Sequence, residues 1–181
     1  MSQANEYIVF LGDDIESKNT AVKTLTHDDS MKQSRLIKQS SSDNDVAAMH
    51  IFHYGKINFD NGQKVHLLRV ESETQLKLLK PKWENNALGV LIFVSTDRES
   101  PEKYLEDLLL KHHDFLSTKS IAIGLVNPSP DIPIDTRKYN ETVTMTGYNA
   151  AVFEIDVTNF QDMSILLQSM LMESLHGLAS A

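Results

Sequence analysis

Apolar and polar positions alternate along the chain in a way that marks strands separated by helices and turns. Ile8-Val9-Phe10-Leu11 is the first apolar run and predicts a strand ending at Gly12. A helix is expected from about Lys18 to Leu25. Residues 27–46 are polar, carry Ser40-Ser41-Ser42-Asp43-Asn44-Asp45 and have almost no hydrophobic period, which predicts a long mobile loop. Ala48 to Phe59 and Lys64 to Val70 alternate as strands do, and Asp60-Asn61-Gly62 between them is a hairpin turn. Residues 71–86 predict a loop and a helix bearing Leu76, Leu78 and Leu79, with a break at Pro81 and then Trp83. Ala87 to Val94 and Ser120 to Val126 are continuous apolar runs, the signature of strands buried on both faces of a parallel sheet.

Between those two runs, Ser100 is placed to cap a helix with Pro101 in its first turn. Tyr104, Leu105, Leu108, Leu109 and Phe115 form that helix's apolar stripe. Asn127 to Pro133 is a proline-rich loop, and Asp135 to Asn149 is an indifferent helix or turn. Ala151 to Ile155 is the last strand, and Asp162 to Leu175 is an amphipathic helix followed by a tail expected to fray. Strands alternating with helices predict an α/β fold, mainly parallel, with one antiparallel edge hairpin and helices on both faces. No repeat and no second domain is visible over residues 1–181.

Composition narrows the function. A net charge of −8 argues against a general nucleic-acid or anionic-membrane binder, both of which need a basic face. The absence of cysteine removes disulfides, thiolate chemistry and cysteine-based zinc sites. MSQANEY has no secretory pattern, and no apolar run approaches the ~20 residues of a membrane span, so a cytoplasmic location is expected.

The chemistry concentrates after the first strand. Gly12-Asp13-Asp14-Ile15-Glu16-Ser17-Lys18-Asn19 falls in the register of a P-loop, G-x-x-x-x-G-K-S/T between strand and helix. Gly12 and Lys18 match. Ser17 stands where a second glycine would let the backbone approach phosphates, and Asn19 stands where a hydroxyl would ligate Mg²⁺. Thr20 comes one residue late and points to another side of the helix. Asp13, Asp14 and Glu16 would face a polyphosphate of the same sign. At an effective dielectric of ~20, one such pair at ~6 Å costs roughly 3 kcal/mol. Lys18 is therefore expected to pair with these acids and hold the loop shut. The alternative is a divergent nucleotide switch that uses Lys18, with GTP or GDP and Mg²⁺ as ligands.

The order of elements, with the hairpin His53 to Leu68 (HYGKINFDNGQKVHLL), the ALGVLIFV strand followed by Asp97 and Ser100-Pro101, and Phe153-Glu154-Ile155-Asp156, resembles bacterial Ras-like small GTPases of the MglA-like kind over about residues 7–175. The resemblance implies a Ras-like P-loop fold and locates further nucleotide-handling positions. In active members a GTPGQERF segment follows the hairpin. The matching stretch here begins Arg69-Val70-Glu71-Ser72-Glu73-Thr74-Gln75, so Ser72 replaces the γ-phosphate glycine and Glu73 the glutamine. Gln75 lies two residues further on, and a carboxylate at Glu73 is the wrong sign beside a γ-phosphate. The metal-ligating threonine of the first switch falls near Ala48-Met49. The base-reading N/T-K-x-D motif falls on Asn127-Pro128-Ser129, without its lysine and with the nearest acid, Asp131, displaced.

The reading is a degenerate member, a pseudo-GTPase that works through protein contacts, with no catalytic residue, metal or cofactor. Residues 27–46, Arg69 to Trp83 and the hairpin edge are the expected contact surfaces. The family's habit implies a Roadblock/LC7-type partner in motility, pilus or polarity control. His53 and His66 are expected to face one another across the hairpin. His112-His113 lacks helical metal spacing, and Met163, Met170 and Met172 read as core and edge packing.

Overall fold

A computed structural model describes residues 6–27, 32–37, 49–58, 62–72, 74–77, 85–129 and 131–179. Seven strands form one sheet: β1 (Glu6–Gly12), β2 (Lys32–Ile37), β3 (Met49–Asn58), β4 (Lys64–Arg69), β5 (Ala87–Ser95), β6 (Ser120–Val126) and β7 (Ala151–Ile155). Their spatial order is β2-β3-β4-β1-β5-β6-β7. β3 runs antiparallel to both β2 and β4, and every other pairing is parallel. The helices are α1 (Ile15–Thr26), α2 (Pro101–Lys111), the single turn α3 (His113–Leu116), α4 (Thr136–Met145) and α5 (Phe160–Ala179). This is the mainly parallel α/β architecture that the alternation of elements predicts, and it is consistent with a Rossmann- or P-loop-like fold.

The period of two along β1 divides the interior into two cores. Val9 and Leu11 join Val90, Ile92, Val94, Ile121 and Ile123 under α2 and α4. Ile8 and Phe10 point to the other face with Leu91 and Phe93, under α1 and α5. There the rings of Phe10 and Phe93 lie 5.2 Å apart at 42°. α5 closes this second core with Met163, Leu166, Leu167 and Met170, whereas Met172 is 59% exposed. The three methionines therefore divide as core and edge. Close packing also fixes Gly89, since a Cβ there would come 2.4 Å from the Met170 sulfur.

Several boundaries differ from the sequence reading. β2 falls inside the polar stretch expected to be one loop and pairs with β3 from Lys32↔Tyr54 to Ile37↔Met49, so the β3–β4 hairpin is not the sheet edge. α1 begins at Ile15, three residues before Lys18, because the Asp14 side chain caps it. α4 is a regular helix capped by Asp135, which accepts from the Arg137 N–H. α5 runs on through Ala179 rather than fraying after Leu175. Ser100 precedes α2 with φ 53° and makes no side-chain capping bond. His53 sits opposite Arg69 and His66 opposite Lys56, so the two histidines do not face each other. His66 instead packs against Tyr7 and Tyr54, at ring distances of 5.5 and 5.4 Å.

Ala48, Asp60, Asn61, Glu73, Leu78, Leu79, Pro81, Trp83 and residues 28–31 and 38–47 lie outside the described residues, as do Pro130 and the last two positions of the tail. Among the described residues, no helix is long and apolar enough to cross a membrane.

Candidate functional site

Parallel β1 and β4 end side by side, which brings the loop after β1 against the segment after β4. Gly12 turns the chain with φ 123°, and a Cβ on it would lie 2.1 Å from the carbonyl oxygen of Phe93. Only glycine meets both requirements. Three charged residues of the loop, Asp13, Asp14 and Lys18, are then engaged by the protein itself.

Asp14 covers the start of α1. Its Oδ1 accepts from the backbone N–H of Glu16 at 2.9 Å and of Ser17 at 3.2 Å, and its Oδ2 accepts from the Ser17 hydroxyl. The positive end of a helix is where a phosphate would otherwise bind. Asp13 pairs with Arg98, whose guanidinium carbon lies 3.7 Å from the centroid of the Tyr104 ring. Glu16 is exposed in the first turn, and Thr20 is half-buried further along α1.

Lys18 is fully buried, and its Nζ donates to the carbonyl oxygens of Gly12 at 2.5 Å and Val70 at 2.6 Å. The expected ion pair with the loop carboxylates does not form. The ammonium is held by two backbone carbonyls, and the carboxylates act on it only through their charge. Burial, and then the positive charge of Arg69, lower its pKa to about 8, against the raising influence of Asp13, Glu71 and Asp14.

Arg69 is the residue whose part the sequence did not reveal. It is 5% exposed and donates through Nη1 to the Asn19 side-chain oxygen. Its Nη2 contacts the Glu71 carboxylate and lies 2.7 Å from His53 Nδ1, which is itself 2.9 Å from the same carboxylate. Burial pushes the Glu71 carboxyl up, but the bond to His53 and the charge and bond of Arg69 outweigh it, leaving Glu71 below the usual range. Asn19 occupies the position of the metal-ligating hydroxyl, and a guanidinium already engages its oxygen. With Lys18 and Arg69 both present, this donor set does not fit Mg²⁺. Among the described residues, no group of three or more His, Asp or Glu could hold a metal ion.

Gln75 is buried rather than directed at a reacting water. Its Oε1 accepts from the Glu71 N–H at 2.7 Å, and its own N–H donates to the Ser72 hydroxyl at 3.3 Å. Glu71, Ser72 and Gln75 thus close a short turn leading into the helical residues 74–77.

The base-reading positions do not join this cluster. Asn127 braces its own loop: its Nδ2 donates to the Ile132 carbonyl and to Glu154 Oε1, both at 2.9 Å, and its Oδ1 accepts from the Ser129 N–H at 3.0 Å. Pro128, Ser129 and Asp131 are exposed. A cavity of about 340 Å³ lies beside Gly12, walled by Glu71, Ser72, Tyr104 and Asp107. A larger one of about 580 Å³ lies at the opposite end of the sheet, near Ala87, Ser120 and Tyr148. There His113 Nδ1 is 3.0 Å from the Tyr148 hydroxyl.

No protein-family model and no curated protein matches the chain.

Proposed function

We propose that this domain is a pseudo-GTPase: a cytoplasmic protein-interaction module built on a small-GTPase frame that has given up GTP binding and hydrolysis. One observation carries the reading. The groups that would receive a triphosphate and its metal are engaged by the protein itself, Asp14 on the α1 N-terminus, Gly12 and Val70 carbonyls on Lys18, and Arg69 on Asn19. A nucleotide would have to displace Asp14 and then face Asp13 and Glu71, at roughly 3 kcal/mol for each like-charge pair at ~6 Å and a dielectric of ~20.

The resemblance to MglA-like proteins supports a Roadblock-type protein as the partner, in motility, pilus or polarity control. The faces that the sequence suggests for it are residues 27–46 and the stretch from Arg69 to Trp83; the β3–β4 hairpin is not one of them, because β2 covers its outer strand.

Thermal melting with 1 mM GTP, GDP or ATP (an assay concentration of about this order), with and without Mg²⁺, tests the loss of nucleotide binding. No change in Tm is expected. A rise of several degrees would overturn the reading, because a ligand at 100 times its Kd adds ~2.7 kcal/mol, which moves the Tm of a domain this size by roughly 5–10 °C.

A further inference from the structure

Three aromatic rings from three strands meet on one face of the sheet, near the start of β1. Tyr7 of β1 pairs with His66 of β4, and His66 pairs in turn with Lys56 of β3. The ring of His66 lies 5.5 Å from that of Tyr7 and 5.4 Å from that of Tyr54. Residues two apart in a strand share a face, so Tyr54 and Lys56 stand side by side on β3. Lys32 of β2 pairs with Tyr54 and is thus the diagonal neighbour of Lys56, roughly 7–8 Å away at the backbone. The three rings and Lys56 are half-buried, and Lys32 is exposed.

The charges on this face are unmatched. The chain carries 25 acidic against 17 basic side chains, yet among the described residues no hydrogen bond or ion pair engages Lys32 or Lys56. Nor does any engage the Tyr7 and Tyr54 hydroxyls or the ring nitrogens of His66, all of which reach solvent. Glu6, the acid beside Tyr7 in the chain, belongs to the opposite face by strand alternation and accepts from Gln63 Nε2. Burial, and then the positive charges of Lys56 and Lys32, hold the His66 pKa below its usual value. The ring is therefore neutral at pH 7, and both lysines act on it with no carboxylate opposing them.

Two ammonium groups without partners are complementary to anions, and the tilted rings beside them to a flat apolar side chain. A nucleic acid fits poorly, because two lysines neutralise little of a phosphate backbone and a net charge of −8 repels the rest. An extended peptide fits better. Its alternate side chains point the same way about 7 Å apart, close to the diagonal spacing of Lys32 and Lys56. We propose that this face receives an extended acidic segment of a partner protein, two alternate carboxylates meeting Lys32 and Lys56 and the next side chain of that row, an aromatic one, lying on the His66 and Tyr7 rings. The inference rests on the reading that the domain works through protein contacts, and it adds the chemistry of one such contact.

The test is an NMR titration of the ¹⁵N-labelled full chain with the peptide acetyl-Glu-Ser-Glu-Ser-Tyr-amide. Its neutral counterpart, acetyl-Gln-Ser-Gln-Ser-Tyr-amide, and a thymidine pentanucleotide serve as comparison ligands. The acidic peptide is expected to shift the amides of Lys32 and of residues 54–56 and 65–67. It should bind at least ~5-fold more tightly than the glutamine peptide, as the loss of two exposed ion pairs implies. It should also raise the His66 pKa, because its carboxylates offset the two lysines that lower it. Lys32→Gln and Lys56→Gln should each weaken it about two- to threefold, and neither side chain belongs to the core, so these variants test binding alone. Equal binding of the glutamine peptide, no shifts on this face, an unmoved His66 pKa, or indifference to both substitutions would overturn the proposal. Equal or tighter binding of the pentanucleotide would also overturn it, by assigning the face to nucleic acid. Self-association in sedimentation that Lys56→Gln abolishes would overturn it as well, by assigning the face to a second copy of this chain. A GTP-dependent rise in Tm would end the pseudo-GTPase reading and leave these peptide shifts standing. A silent face would end this proposal and leave the melts unaltered.

Discussion

The loop after β1 and the loop after β6 lie at the same end of one parallel sheet, yet they treat charge in opposite ways. After β1, Asp13 meets Arg98, Asp14 caps α1, Lys18 meets two carbonyls and Arg69 meets Asn19 and Glu71. After β6, Asn127 secures the backbone, while Glu102, which lines the cleft beside it, makes no hydrogen bond or ion pair among the described residues. A cluster whose charges meet one another holds its shape, although Arg69 Nε and Arg98 Nε are buried in it without a hydrogen-bond partner.

Breaking the loop after β1 should cost stability, most of all at Gly12. Gly12→Ala puts a methyl 2.1 Å from the Phe93 oxygen at φ 123°, and overpacking together with backbone strain should cost about 3–5 kcal/mol in urea unfolding. A loss below ~1 kcal/mol would show that the loop adapts and is not rigid. Asp14→Ala should cost about 1 kcal/mol by the same measurement, as the loss of an N-cap does. It should also uncover two N–H groups at the positive end of α1, so that millimolar phosphate (about 10 mM) raises the Tm of this variant and not of the parent. An identical phosphate response in both proteins would mean that Asp14 was never the obstacle.

The smallest effect concerns pH. Glu71 has a folded pKa below its unfolded value of about 4.3, so the unfolded chain binds the proton more readily. The stability this group supplies is present above that value and is lost as pH falls through the folded one. Unfolding free energies measured across the acid range should therefore fall less steeply for Glu71→Gln than for the parent. Parallel curves would remove Glu71 from the network that joins Arg69 to His53.

Part of the frame was readable because ALGVLIFV and SIAIGLV are almost continuously apolar, and they became β5 and β6 with few changes at their ends. β2 was not, since Lys32–Ile37 reads KQSRLI and carries no apolar alternation to set it apart from a loop. The start of α1 was available in the sequence, because Asp14 is an N-cap residue with acidic Glu16 in the first turn after it, four positions ahead of the Lys18 that the P-loop register marks. The pairing of Arg69 with Asn19 had no local signal. It joins residues 50 positions apart and follows from the β1–β4 register, which brings Phe10 opposite Arg69.

Lys18 donates to Val70, a partner 52 positions further along the chain. During synthesis the loop around Gly12 must therefore wait, unlatched, until β4 has been made and has zipped onto β1. Newly made chain in that interval presents an unshielded lysine and an open turn, so chaperones and proteases would meet a different surface there from the one the finished domain displays.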